Sequence, residues 1–275
     1  SMLLGMNSRL IGLCSWSLQP KTPLELVSAC QTCGIEYIQL ALLPLVLDAS
    51  WKHCAQSLRD AGIGVLSGML EASGEDYTTL ETIANTGGLR RDEMWASTIE
   101  NTKRVADIAA EMNVPMVTFH AGFIPEEPCG ERSKMLDRLH EMTEEFTNRE
   151  LVLGLETGQE CAENVVSVFE ELTLPNLGVN FDPANMILYG KGDPIEAIQI
   201  LQPWVKQVHI KDAKATEVSG TWGTEVVAGE GEVPWESFLQ LVPDGIDLVI
   251  EREGGTHRID DIKRAKTLLG EFGIC

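Results

Sequence analysis

What this sequence lacks narrows its possibilities before any motif is read. No apolar stretch reaches the roughly 20 residues needed to span a bilayer, and no basic-then-apolar segment opens the chain. These absences argue against membrane insertion and set the expectation of a cytoplasmic enzyme. No cluster of Lys and Arg stands out, and the formal net charge is −21. So acidic a surface repels phosphate backbones, which opposes nucleic acid as a partner, yet it is compatible with divalent cations. The cysteines at 14, 30, 33, 54, 129, 161 and 275 are odd in number and show no disulfide framework, as suits a reducing compartment. Cys30 and Cys33 form a CxxC, but without a second pair or a redox context they read as two packed or semi-exposed thiols. Neither a G-x-G-x-x-G nor a P-loop follows the first apolar run, so a nucleotide-binding doubly wound sheet finds no support.

What is present is alternation. Apolar runs at 9–16, 35–41, 65–70, 116–122, 151–157, 177–183, 205–213 and 247–253 read as strands. Between them lie helical patterns at 22–33, 50–61, 95–112, 131–148, 164–172, from Asp193 onward, after Pro234, and at 259–270. Gly34 marks one helix end, and Asp193–Pro194 with Glu196 marks one helix start. The polar stretch from Glu71 to Asp92 is too long for a plain connector and is expected to hold a short helix over one end of the fold. Residues 214–233 read as a Gly- and Glu-containing loop. Eight strand–helix alternations without a linker, in 275 residues that are 44% hydrophobic, predict one (β/α)8 TIM-barrel domain over 1–275.

Four of the apolar runs end on a metal-capable side chain. LGLETG delivers Glu156, LGVNFDPAN delivers Asp182, VKQVHIKDA delivers His209 and LVIEREGG delivers Glu251, at steps of 26, 27 and 42 residues. The first two steps match one strand–helix unit, the third such a unit with a long loop. A parallel barrel gathers the C-terminal ends of its strands into one mouth, where chemistry is expected. Three oxygen ligands and one nitrogen suit a fairly hard divalent ion: manganese first, with magnesium, cobalt or zinc as alternatives. Two open positions of an octahedron would accept adjacent oxygens of a hydroxy-ketone, and the ion would stabilise an enediolate while two carboxylates exchange protons with carbon. The bland alternative, for any one of the four alone, is a surface salt bridge or a helix cap.

LGLETG, NFDPANMILYGKGDP, VHIKDA, GEGEVPW and IERE together resemble the xylose isomerase-like barrel superfamily of sugar and sugar-phosphate isomerases and epimerases. The resemblance covers essentially the whole chain and is specific at superfamily level. It implies a metal on Glu156, Asp182, His209 and Glu251, and it makes Glu156 and Glu251 the acid/base pair on opposite faces of a bound sugar. It also implies a small-molecule sugar or sugar phosphate as partner, and it leaves a homo-oligomer open. Some ketose epimerases carry a His three residues after the ligand Asp and an Arg six after the ligand His; here Asn185 and Ala215 stand there.

Secondary candidates surround these four. His120 ends the fourth strand, as a substrate hydrogen-bonder or as a core or capping histidine. Asn185 is a candidate hydroxyl contact, and Lys211, two residues past His209 on the same strand face, a hydroxyl or phosphate contact. Trp16 ends the first strand, as a wall for a sugar ring or as a packed indole. Arg252 is expected to pair with a neighbouring carboxylate. Gly229 and Gly231 make a poor phosphate cradle because Glu230 and Glu232 would repel the ligand. An endonuclease-IV-like repair enzyme would need more histidine ligands than five histidines and Asn185 allow. A dehydratase of inososes or dehydroshikimate would share the first proton abstraction, and a non-catalytic sugar-binding barrel would not turn over.

Overall fold

The computed structural model describes residues 9–274, so Cys275 lies outside the described residues. Ten strands occur: β1 Ile11–Cys14, β2 Tyr37–Ala41, β3 Gly64–Met69, β4 Met116–Phe119, β5 Val152–Glu156, β6 Leu177–Phe181, β7 Val205–Ile210, β8 Asp212–Lys214, β9 Thr224–Val226 and β10 Asp247–Ile250. Eight of them close in the order β1-β10-β7-β6-β5-β4-β3-β2, every pair parallel. This is the (β/α)8 barrel that the alternation predicts.

Local chemistry sets the helices as expected. Thr22 accepts from the Glu25 N–H at the start of the helix Pro23–Cys33, and Gly34 ends it at φ 64°, a left-handed conformation that glycine adopts without a Cβ clash. Asp193 caps Pro194–Leu201 by accepting from the Ile195 and Glu196 N–H groups. The long polar stretch holds the helix Leu80–Thr86. Cys30 and Cys33 are buried, so the CxxC is a packing feature of the first helix. Leu13, Ile38, Val117, Leu153, Val179 and Val208, one from each of six strands, are fully buried in one apolar cluster with helix residues such as Leu26, Leu58 and Leu139.

Two expectations need correction, and one helix was not expected. The predicted strand 205–213 breaks at Lys211, and Asp212–Lys214 turns away to pair antiparallel with Thr224–Val226, so the loop 214–233 contains a hairpin strand. The predicted helix 50–61 is a 3-10 turn Ala49–Trp51 followed by Cys54–Asp60, preceded by a separate helix Leu43–Leu47. A seven-residue helix, Pro183–Tyr189, starts directly after Asp182; its N-cap is Asp182 itself, with Pro183 in the first turn and Gly190 at its end.

Two register shifts shape the interior. Between Ile38 and Gln39 the pairing with β3 skips Leu66, and between Val179 and Asn180 the pairing with β7 skips Lys206. Extra residues of this kind re-aim the side chains that follow. Past the shifts, Gln39, Ser67, Asn180 and Gln207 are buried and bonded to one another across the barrel. Barrel interiors are normally filled by branched apolar side chains. Here a polar layer lies beneath the mouth.

Candidate metal centre and active site

Glu156, Asp182, His209 and Glu251 come from β5, β6, β7 and β10, four consecutive staves of the barrel. Each is at most 5% exposed, and one ligand atom from each lies within 4.8 Å of the others. His209 Nδ1 is the hub, 3.2 Å from Glu156 Oε1, 3.4 Å from Asp182 Oδ2 and 3.7 Å from Glu251 Oε1. Neither His209 Nδ1 nor Asp182 Oδ2 has a hydrogen-bond partner. Buried polar atoms are seldom left so, because an unmade bond costs about 1–3 kcal/mol. Three carboxylates and an imidazole nitrogen aimed at one point fit a divalent cation, with the two unpartnered atoms among its ligands.

The far side of His209 fixes which nitrogen is free. Its Nε2 lies 2.7 Å from Gln39 Oε1, and the Gln39 amide nitrogen donates to the Gly68 carbonyl at 3.1 Å and to Thr118 Oγ1 at 2.8 Å. With its NH2 group committed, Gln39 presents only an acceptor to His209. Nε2 therefore carries the proton, and Nδ1 offers its lone pair to the carboxylate cluster. Cys14 Sγ, 3.5 Å from Nε2, and Asn180 Nδ2, 3.2 Å from it, complete this surround.

Lys211 supplies the cluster's cation. Its Nζ donates to Glu251 Oε1 at 2.7 Å, Asn185 Oδ1 at 2.8 Å and Glu253 Oε1 at 3.0 Å, and lies 3.2 Å from Asp182 Oδ2. Asn185 in turn donates to Glu156 Oε1 at 3.2 Å. Lys211 and Asn185 thus sit buried behind the carboxylates as a brace. Trp16 and His120 instead face the opening: the Trp16 indole donates to Glu251 Oε2 at 2.9 Å, and His120 Nε2 lies 3.3 Å from Glu156 Oε2.

These surroundings drive the two glutamates apart. Burial pushes Glu156 up, but His120, His209 and Lys211 outweigh it and hold the carboxyl at about 2. Burial and the neighbouring Glu253 charge push Glu251 well above the usual carboxylate range. Burial favours neutral His209, yet the Glu156 and Glu251 charges and the Asp182 contact prevail and raise it well above an ordinary histidine.

The mouth opens as a cavity of about 290 Å³, lined by Trp16, Met69, Leu70, Glu71, Glu75, Tyr77, Phe119, His120, Glu156, Glu251 and Glu253. Glu71, Glu75 and Tyr77 come from the long polar stretch after β3, which sequence reasoning assigned to one end of the barrel without naming a site residue. Glu75 accepts from the Gly88 N–H at 3.0 Å, and burial pushes its carboxyl up to about 7. Gln39 was missed as well; its signal is a lone amide in the apolar run YIQLA. Glu253 was seen only as a flank of Glu251.

The segment GEGEVPW has a different role from a phosphate cradle. Gly229, Gly231 and Val233 aim their N–H groups at Asp212, as do the Trp235 indole and the Ala213 N–H. A Cβ at Gly231 would lie 2.1 Å from Asp212 Oδ1, which is why that position needs glycine. Arg252 pairs with Glu225 and Asp261, away from the mouth.

Comparisons with known proteins agree with the barrel fold. A family model described as xylose isomerase-like TIM barrel matches residues 27–271. The crystal structure of a xylose isomerase domain protein from Planctomyces limnophilus is similar at 30% identity and TM-score 0.83, with 96% of each chain covered. A probable 3-DHS dehydratase, AsbF, from Bacillus anthracis aligns at 19% identity and TM-score 0.74, covering 95% of this chain and 98% of that one. An L-ribulose 3-epimerase aligns at 16% identity and TM-score 0.70, covering 96% and 94%. The latter two likenesses show the fold. A curated relative, the uncharacterized protein YihM of Escherichia coli, is 34% identical over 79 residues, only 28% of this chain and 24% of that protein. No helix among the described residues is long and apolar enough to cross a membrane.

Proposed function

The chain belongs to the xylose isomerase-like TIM-barrel family, and from that premise we propose that it is a divalent-metal-dependent sugar isomerase or epimerase. In this reading the barrel is its single domain, and the reaction removes a proton next to a carbonyl and passes through a cis-enediolate. The observation that carries the reading is a pair of buried atoms without a hydrogen bond, His209 Nδ1 and Asp182 Oδ2 (the latter 3.2 Å from the Lys211 ammonium), beside Glu156 and Glu251 at an open cavity. Glu156, Asp182, His209 and Glu251 hold the ion, manganese in the first place and magnesium, cobalt or zinc as alternatives. The ion, when bound, supplies a Lewis acid that polarises the substrate carbonyl and offsets negative charge developing on oxygen.

The chain's own groups handle the protons. Glu156, held ionised by its histidine and lysine neighbours, is the acceptor of the carbon-bound proton. Glu251, the ligand on the opposite side, whose proton affinity burial and the Glu253 charge raise, exchanges the second proton with the substrate. Trp16 and Lys211 orient Glu251 by donating to its two oxygens, and His120 and Asn185 do the same for Glu156. Trp16 and His120 also border the space in which substrate would lie.

The same first step serves a lyase. Glu251, bonded to the Lys211 ammonium, is as well placed to pass a proton to a departing hydroxyl as to a carbon. The test is solvent deuterium uptake by the metal-reconstituted protein with ketoses, ketose phosphates and inososes. Metal-dependent carbon-bound deuterium without loss of water supports the isomerase or epimerase; deuterium with loss of water replaces it with the dehydratase. No exchange with any compound, metal being bound, overturns the reaction class.

A further inference from the structure

The residues facing the cavity carry a one-sided charge. Five are glutamates: Glu71, Glu75, Glu156, Glu251 and Glu253. His120 is the only basic side chain among the lining residues, and it is engaged with Glu156. A divalent ion together with Lys211 would balance Glu156, Asp182 and Glu251. That leaves Glu71, Glu75 and Glu253 on the cavity wall without an ion-pair cation of their own, apart from the Glu253 contact to the shared Lys211. The remaining wall is apolar, with Trp16, Met69, Leu70 and Phe119.

Resting on the function proposed above, we infer that the substrate is an uncharged polyhydroxy carbonyl compound of monosaccharide size, and that phosphorylated and carboxylated sugars are rejected. Carboxylates accept hydrogen bonds from hydroxyls, whereas a phosphate or carboxylate brings only acceptors and like charge. In a partly enclosed site that mismatch is repulsive, and repulsion is a recognised source of specificity. The volume, about 290 Å³, stands at the lower limit of the roughly 300–1,000 Å³ of small-molecule pockets, room for one sugar unit. Glu71 and Glu75 take the hydroxyls farthest from the ion, while the apolar wall receives the C–H face. A phosphate-binding site would need basic side chains or free N–H groups. The one glycine-rich segment that resembles a cradle spends its N–H groups on Asp212.

The experiment is calorimetric titration of the manganese-loaded full chain, at low salt, with hexitols and inositols and with their phosphate monoesters. These probes lack the carbonyl and do not turn over. The expected result is binding of at least one neutral polyol, with its monoester weaker by about tenfold or more. Glu71→Gln and Glu75→Gln, tested singly, narrow that gap. A monoester binding as tightly as its parent, or no neutral polyol binding at all, overturns the inference. Polyol binding with no deuterium exchange for any ketose would sink the proposed reaction and leave this inference standing. Exchange with ketose phosphates alone would do the reverse.

Discussion

Two aspartates one strand apart show how the same residue type serves opposite ends. Asp182 follows β6 and Asp212 follows β7, and both are completely buried. Asp212 is saturated: four backbone N–H groups and the Trp235 indole converge on its two oxygens and tie GEGEVPW to the barrel. Asp182 is half used. Its Oδ1 caps a helix by accepting from the Asn185 N–H at 2.9 Å, while Oδ2 has no hydrogen bond and lies between His209 Nδ1 and the Lys211 ammonium. The saturated carboxylate holds structure, and the unsaturated one is available to a ligand. What separates them is the supply of backbone donors, which depends on where the following loop folds back.

The sharpest way to break the comparison is at the carboxylates on the open side. Glu156→Gln and Glu251→Gln are each expected to abolish turnover while leaving the thermal transition in place. Near-normal rates in either variant would remove that residue from the acid/base role. The next largest effect separates the two aspartates directly. Asp212→Ala strands five donors, at about 1–3 kcal/mol for each that stays buried and unmet, so a loss above about 4 kcal/mol is expected in denaturant unfolding. Asp182→Asn keeps the helix cap and relieves charge crowding. Its stability should change by less than about 1 kcal/mol, while metal affinity is lost.

A milder perturbation tests the support behind the ligand. Gln39→Leu removes the acceptor that holds the proton on His209 Nε2, and metal affinity is expected to fall about 10–100-fold. Gln39→Glu retains the acceptor but loses the donor to the Gly68 carbonyl, so it should recover part of that affinity, a rescue that a purely packing role for Gln39 would not show. The smallest effect is graded. The raised pKa of His209 means that its proton stabilises the metal-free fold fully below about pH 6.5, with that stability lost as pH rises through the raised value. The metal must displace the same proton, so affinity should climb by up to about tenfold per pH unit below that value and level off above it. A flat affinity over that range would show that Nδ1 carries no proton to displace.

The barrel was legible because each strand–helix unit carries its own local signals: apolar runs, Thr22 and Asp193 at helix starts, Gly34 at a helix end. The four central residues were legible for a related reason, since a residue that ends an apolar run is delivered to the barrel mouth by topology alone. The remainder depended on register and folding-back. Whether Gln39 points inward is set by a skip opposite Leu66 on another strand. Glu71 and Glu75 lie in a stretch without periodicity, and nothing local says that it returns over the opening. The hairpin Asp212–Lys214 with Thr224–Val226 was read as strand and loop because Asp212 prolongs the apolar run of β7, and only the donors from GEGEVPW reveal that it turns away. Asn185 and Lys211 were read as substrate contacts. That they brace the carboxylates from behind follows from distances no spacing rule supplies.

The central claim is that Glu156, Asp182, His209 and Glu251 form one metal site with Nδ1 of a single imidazole as its nitrogen ligand. The most direct measurement is manganese titration of the metal-stripped chain, with pulsed electron paramagnetic resonance on the loaded protein. One ion per chain, nitrogen coupling from one directly bound imidazole, and loss of that coupling in His209→Gln are predicted. No tight ion, or an ion whose nitrogen coupling survives His209→Gln, would contradict the account.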